Sequence, residues 1–204
     1  MTGQTAYSFV LVGVGGQGTL LASNILAEVG LAAGYDVKKS EVHGMAQRGG
    51  SVLSHVRWNT AQVHSPLVGL GEADILLSFE KMEAMRFAEF LKGGGTAVVN
   101  ETAVVPITVS SGPSVYPDDT HLTRVFAALD AELVMVPGER LAQEAGNVKA
   151  ANVVLLGAVS RLLPLAEDMW WDCIAQRVPA KHLAINHAAF AAGRAVVAPA
   201  HTTT

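Results

Sequence analysis

The sequence predicts an α/β fold of three layers, with a largely parallel sheet that has room for mixed pairing and a helical C-terminal region. Three observations carry this. Up to Val136, short apolar runs alternate with stretches of helical periodicity, the pattern of strands joined by crossover helices. A glycine turn containing Gly13, Gly15 and Gly18 joins the first such strand to the first helix, as in Rossmann-like sheets. From Gly138 onward only helical pattern follows. No repeat appears and no stretch reads as a linker, so residues 1–204 are expected to form one domain.

The elements follow in order. AYSFVLVGV (6–14) is a short apolar run ending in glycines, which reads as a buried strand. The next stretch places Leu21, Ile25 and Val29 at i, i+4 and i+8, with few polar residues between; this helix is either sandwiched in the core or turned toward a partner, and Gly34 stops it. DVKKSEV (36–42) reads as a strand, HGMAQRGG (43–50) as a loop, and SVLSHVRW (51–58) alternates like a half-buried strand. ADILLSF (73–79) is a second buried strand. EKMEAMRFAEFLK (80–92) reads as a helix with an exposed charged face, closed by Gly93–Gly95, and TAVVN (96–100) as a strand. Residues 101–120 hold three prolines and read as extended. HLTRVFAALD is helical, AELVMVP (131–137) is strand-like, and helices are expected over 138–145, 147–163, 168–177 and 181–195. The helix at 147–163 is apolar nearly all round, which means deep core or a subunit contact.

Composition narrows the function classes. Half the residues are hydrophobic and only 16% are charged, against about 25% in an average domain, so disorder is excluded. The net charge of −4 offers no basic excess for nucleic acid. Residues 1–27 carry no charge, and the first lysine is Lys38; a signal peptide needs basic residues before its apolar run. Glycines break the only long apolar stretch, so no membrane span is expected and the protein reads as cytoplasmic. A single cysteine, Cys173, forms no internal disulfide and cannot supply a cluster's thiolates.

The loop Gly13, Gly15, Gly16, Gln17 and Gly18 is a candidate phosphate or anion site, because glycines let an anion approach bare N–H groups at a helix N-terminus. The alternative is that they only pack the helix on the sheet. A nicotinamide site also wants an acid ending the next strand. Glu41 stands there and Asp36 begins that strand, but Lys38 and Lys39 are wrong for a buried central strand.

The string EVHGMAQRGG (41–50) crowds Glu41, His43, Gln47 and Arg48 among Gly44, Gly49 and Gly50. Glycines allow close approach to another surface, and an arginine there can clamp a carboxylate or phosphate, which points to an interface. With GVGGQG before it, SVLSHVR after it, SPLVGLGEADILLSFEKMEAMR (65–86), GNVKAANVVLLGAV (146–159) and VPAKHLAINHAAFAAG (178–193), the sequence resembles the gamma-type domain of the 2-oxoacid:ferredoxin oxidoreductases. Within that family the beta subunits of the indolepyruvate type are nearest in pattern. The resemblance covers most of the chain and is weakest at 101–135.

The resemblance implies an accessory subunit of an enzyme that oxidatively decarboxylates an aryl or other 2-oxo acid to the acyl-CoA, passing electrons to ferredoxin. It implies a large alpha subunit carrying thiamine diphosphate, magnesium and [4Fe-4S] clusters, with CoA as co-substrate and no cofactor bound by this chain. Loop 41–50 is then a subunit junction or part of the substrate or CoA entrance, with no catalytic residue assigned. The uncharged N-terminal stretch and the apolar helix suggest self-association when the partner is missing. A rival reading is a free-standing nucleotide-binding enzyme or sensor using Gly13–Gly18; a third is an interaction protein with no ligand.

Other signals are weaker. His182 and His187 are five apart, the wrong spacing for two ligands on one helix face, so no metal is expected. Ser51, Ser54 and Ser78 lack the setting of a nucleophile. Cys173, following two tryptophans, reads as a small buried hydrophobe. Glu80, Glu83 and Arg86 read as a solvated face.

Overall fold

The computed structural model describes residues 5–43, 50–104 and 116–198, with residue 43 described by its backbone alone. A six-stranded sheet forms the middle layer. Its strands are β1 (Ala6–Val14), β2 (Asp36–His43), β3 (Ser51–Asn59), β4 (Ala73–Ser78), β5 (Leu91–Asn100) and β6 (Glu132–Val136), in the order β2-β3-β1-β4-β5-β6. β1, β4, β5 and β6 run parallel, and β3 pairs antiparallel with both β1 and β2. The sheet is therefore mixed, through one hairpin.

Alternation along the strands splits the core. Phe9, Leu11, Ile75, Leu77 and Val98 face one side. There they pack against α1 (Thr19–Ala32), α5 (Ala151–Ser160), α6 (Glu167–Arg177) and α7 (Leu183–Val196), with α4 (Gly138–Glu144) at the margin. Val10, Val12, Leu76, Ala97 and Val99 face the other side, under α2 (Lys81–Arg86) and α3 (Asp119–Ala128). The helical C-terminal region is one outer layer of a three-layer sandwich.

α1 is sandwiched between the sheet and the C-terminal helices: Ala22, Ile25 and Val29 are fully buried. α5 resolves the choice left by its all-round apolarity, because every residue from Asn152 to Ser160 is buried within the chain itself. It is covered by its own chain and presents no patch to a partner. α5 and α7 cross at two glycines: a Cβ on Gly157 would stand 2.2 Å from the Phe190 carbonyl oxygen, and one on Gly193 would stand 1.8 Å from that of Val154.

Three expectations are corrected. The helix read over 80–92 stops at Arg86; a 3-10 turn (Ala88–Phe90) follows, and the chain is already in β5 at Leu91. Gly93–Gly95 do not cap a helix. They form an irregularity in β5, where the register jumps from Ala73 opposite Leu91 to Ile75 opposite Thr96, and Gly94 adopts φ 72° with its N–H on the Asp130 carbonyl at 2.9 Å. The helix at 147–163 begins as a 3-10 turn (Val148–Ala150) capped by Asn147, whose side chain accepts from the Lys149 N–H at 3.0 Å. β2 lies at the sheet edge, the one place where a strand carrying Lys38 and Lys39 is tolerated.

Candidate functional site

β1 and β4 are parallel neighbours, yet β1 leads into α1 on one face and β4 into α2 on the other. That divergence opens a crevice beyond the C-terminal ends of the strands, where open α/β sheets bind ligands. A cavity of about 500 Å³ sits there, lined by Gly16, Gln17, Gly18, Phe79, Asn100, Glu139, Lys149 and Asn152 among others. A larger hollow of about 740 Å³ lies at the opposite edge, among Tyr7, Asp74, Lys92 and Glu132 near the starts of the strands. It carries none of the glycine-loop groups, and the strand-end rule favours the smaller cavity.

The glycine loop combines packing and access. A Cβ on Gly13 would meet Thr19 Oγ1, Gln17 Oε1 and Phe79 Cβ, all within 2.9 Å, so this glycine is required by the fold. Gly18, at φ 85°, is the N-cap of α1, and a Cβ there would stand 2.7 Å from Asn152 Nδ2. Gly16, at φ 104°, has nothing within 4 Å of where its Cβ would be. Because Gly18 has no side chain, the first N–H groups of α1 lack a side-chain cap. The Gly15 N–H is bonded to the Gly50 carbonyl at 2.9 Å, which ties the loop to the base of the β2–β3 hairpin.

Gln17 faces inward. Its Oε1 accepts from the Val14 N–H at 2.7 Å, and its Nε2 donates to the Phe79 carbonyl at 3.1 Å, bridging the ends of β1 and β4. Asn100 continues the stitch. It donates to the same carbonyl at 3.3 Å and to Thr102 Oγ1 at 2.8 Å, and accepts from the Gly138 N–H at 3.1 Å. The connections after all four parallel strands are thus joined through two side-chain amides.

Of the loop 41–50, Gly44, Gln47, Arg48 and Gly49 lie outside the described residues, as does the side chain of His43. Glu41 is seen. Its carboxylate accepts from Lys39 Nζ at 2.5 Å and Ser23 Oγ at 3.3 Å, against α1. The antiparallel β3 separates β2 from β1, so Glu41 stands roughly 10 Å across the sheet from β1, two strand spacings away. The acid of a dinucleotide site belongs on the adjacent parallel strand, and that arrangement is absent among the described residues. Asp36, at the far end of β2, is held below the usual carboxylate range by the Val63 N–H, with Lys38 beside it.

Sequence reasoning misread Glu80 and Glu83. Both are buried, at 1% and 5% exposure. Glu80 caps α2 through the Glu83 N–H at 2.8 Å, and its other oxygen accepts from the Val104 N–H at 3.0 Å and the Tyr116 hydroxyl. Glu83 accepts from Ser51 Oγ, with Arg86 at 3.5 Å. Burial, then the bond to Glu80, pushes the Tyr116 phenol well above its ordinary value. The one available signal was Ser78 at the end of β4, whose hydroxyl donates to the Glu80 carbonyl at 2.6 Å and marks a buried turn.

The donor set does not suit an iron–sulfur cluster. Cys173 is buried in α6, and burial pushes its thiol up, away from the thiolate a metal needs. Among the described residues no three His, Cys, Asp or Glu side chains come together as a metal site. No helix among them is long and apolar enough to cross a membrane.

The fold and crevice define an open α/β domain with a glycine-rich loop at the switch point of its sheet. The model of the pyruvate ferredoxin/flavodoxin oxidoreductase family matches residues 8–196, and the chain belongs to that family. It is 40% identical to indolepyruvate oxidoreductase subunit IorB of Thermococcus kodakarensis over 92% of this chain and 94% of the relative. Its fold matches the gamma subunit of a keto/oxoacid ferredoxin oxidoreductase from Geobacter sulfurreducens, with TM-score 0.69 and 23% identity over 93% and 97% of the two chains. It also matches a 2-oxoglutarate:ferredoxin oxidoreductase from Magnetococcus marinus, with TM-score 0.75 and 19% identity, covering 98% of this chain and 32% of that one.

Proposed function

We propose that the chain is the small subunit of an indolepyruvate- or arylpyruvate-type 2-oxoacid:ferredoxin oxidoreductase that forms an acyl-CoA. The observation that carries this is the 40% identity with the IorB relative over more than nine-tenths of both chains. The large subunit holds thiamine diphosphate, magnesium and [4Fe-4S] clusters in this reading, and those groups supply the decarboxylation and electron-transfer chemistry. The single buried thiol of this chain and the lack of a GDG…N magnesium-diphosphate motif support that division.

This chain's residues supply shape and charge. Gly16 and the uncapped start of α1 offer N–H groups to an anionic part of CoA or substrate, with Lys149 at the cavity wall. Loop 41–50, which carries His43, Gln47 and Arg48, meets the large subunit at the same edge of the sheet, because Gly50 is bonded to Gly15. Ferredoxin is reached through the large subunit. The lone chain self-associates through exposed apolar residues, of which Leu70 and Leu31 are the most open among the described ones, α5 being buried.

The test is reconstitution. Purified small and large subunits together reduce ferredoxin with indolepyruvate and CoA, and the small subunit alone does not. Turnover by the small subunit alone, or a large subunit that is fully active without it, contradicts the reading.

A further inference from the structure

α2 carries one carboxylate at its N-cap, Glu80, and one in its first turn, Glu83, and each is bonded to a different loop of the crevice edge. Capping alone does not account for Glu80. A cap needs one oxygen, and shorter side chains serve better; Oε2 makes that bond to the Glu83 N–H. Oε1 is spent on the Val104 N–H and the Tyr116 hydroxyl, which belong to the two ends of the β5–α3 connection. The Tyr116 oxygen in turn accepts from the Met82 N–H at 3.1 Å, and the Lys81 N–H is bonded to the Thr102 carbonyl at 3.1 Å. Three N–H groups at the start of α2 therefore close on this one clamp. Glu83 does the same for the hairpin: its carboxylate takes the Ser51 hydroxyl at the first residue of β3. A buried carboxylate is costly unless hydrogen-bonded, so such groups persist where geometry has to be fixed.

We propose that Glu80 and Glu83 are positioning residues for subunit docking: Glu80, through Tyr116 and Val104, and Glu83, through Ser51, hold two loop bases at the sheet edge that receives the large subunit. This rests on the functional reading above. Neither residue touches substrate, and both act through the residues they bind.

The experiment measures the affinity of the small for the large subunit, by titration, for wild type, Tyr116→Phe, Glu80→Gln, their double variant, Ser51→Ala and Arg124→Ala. Amide exchange of Val104 in the lone chain is followed alongside. Tyr116→Phe and Ser51→Ala each weaken association about tenfold or more at a temperature where both variants are fully folded. The Tyr116→Phe and Glu80→Gln losses are not additive, as expected of one contact. Turnover of the complex at saturating subunit stays near wild type, and Arg124→Ala, exposed on α3, changes nothing. Val104 exchanges faster in Tyr116→Phe while the β1 and β4 amides do not. Affinity within twofold of wild type for both Tyr116→Phe and Ser51→Ala overturns the proposal, as does a loss that merely follows the melting midpoint. A wild-type chain that binds no large subunit overturns the functional reading and the docking role together, and Val104 exchange then reports separately whether the clamp exists.

Discussion

Replacing Gly193 by alanine separates two physical arguments of opposite sign. Helix propensity alone makes Gly→Ala in a helix interior stabilising by about 1 kcal/mol. The packing says otherwise. The new Cβ would stand 1.8 Å from the Val154 carbonyl oxygen and 2.7 Å from its carbon, both backbone atoms that no side-chain rotation can move aside. Relief requires α5 and α7 to part by more than about 1 Å, in an interior packed as densely as an organic crystal. α5 is buried from Asn152 to Ser160, so the shift is felt by α1, α6 and the sheet. Overpacking of this kind costs roughly 3 kcal/mol, the upper part of its usual range. For a chain of this size that lowers the melting midpoint by about 6–12 °C. The assay is thermal unfolding by far-UV circular dichroism, with urea midpoints as a second measure. Ala188→Ser, exposed on the same helix, is the control and stays within about 0.5 kcal/mol. A Gly193→Ala midpoint equal to or above wild type would refute the close crossing.

Other outcomes follow from the site. Gln17→Leu leaves the Val14 N–H and Phe79 carbonyl without their bridging amide and destabilises the lone chain by about 1–3 kcal/mol, read as a urea midpoint; an unchanged midpoint removes the stitch from the account. His55, buried against Phe90 with its Nδ1 accepting from the Val68 N–H, has its pKa lowered by burial. Its contribution to stability is present above about pH 6.5 and is lost as pH falls through the folded value, so His55→Gln flattens the acid limb of a stability–pH curve. Tyr116 has the opposite sign: its raised pKa gives stability that is full below about pH 10 and fades above it, and Tyr116→Phe flattens the alkaline limb. Arg48→Ala, in the glycine-rich loop, leaves the melting midpoint of the lone chain unchanged and lowers reconstituted activity by well over tenfold, the consequence of removing one partner of a desolvated charged pair; activity within twofold of wild type denies that loop its junction role.

Much of the fold was legible because its signals are local. The buried strands 6–14 and 73–79 announce themselves as apolar runs, and the lysines of β2 excluded it from the sheet centre before its edge position was seen. The insertion of β3 between β2 and β1 was not legible, since strand order is a long-range property and the alternation of 51–58 fits either an edge or an interior place. The failure at 80–92 has the same origin. Glu80, Glu83 and Arg86 have helical spacing, and only the fold brings Val104, Tyr116 and Ser51 onto the two carboxylates from 24, 36 and 32 residues away. At the crevice the glycines were readable, but the inward turn of Gln17 was not, because its acceptor, the Phe79 carbonyl, lies 62 residues on.

The central claim is that the C-terminal edge of this sheet is where the large subunit and its ligands meet the chain. It is tested most directly by the hydrogen-exchange footprint of the small subunit, alone and in complex with the large subunit of an indolepyruvate ferredoxin oxidoreductase from the same source. The account predicts added protection around Gly15–Gly18, Ser51–Leu53, Glu80–Glu83 and Thr102–Val104, with none at the opposite edge around Lys92, Glu132 and Val197. Protection confined to that opposite edge, or a complex that leaves every one of these amides unchanged, would contradict it.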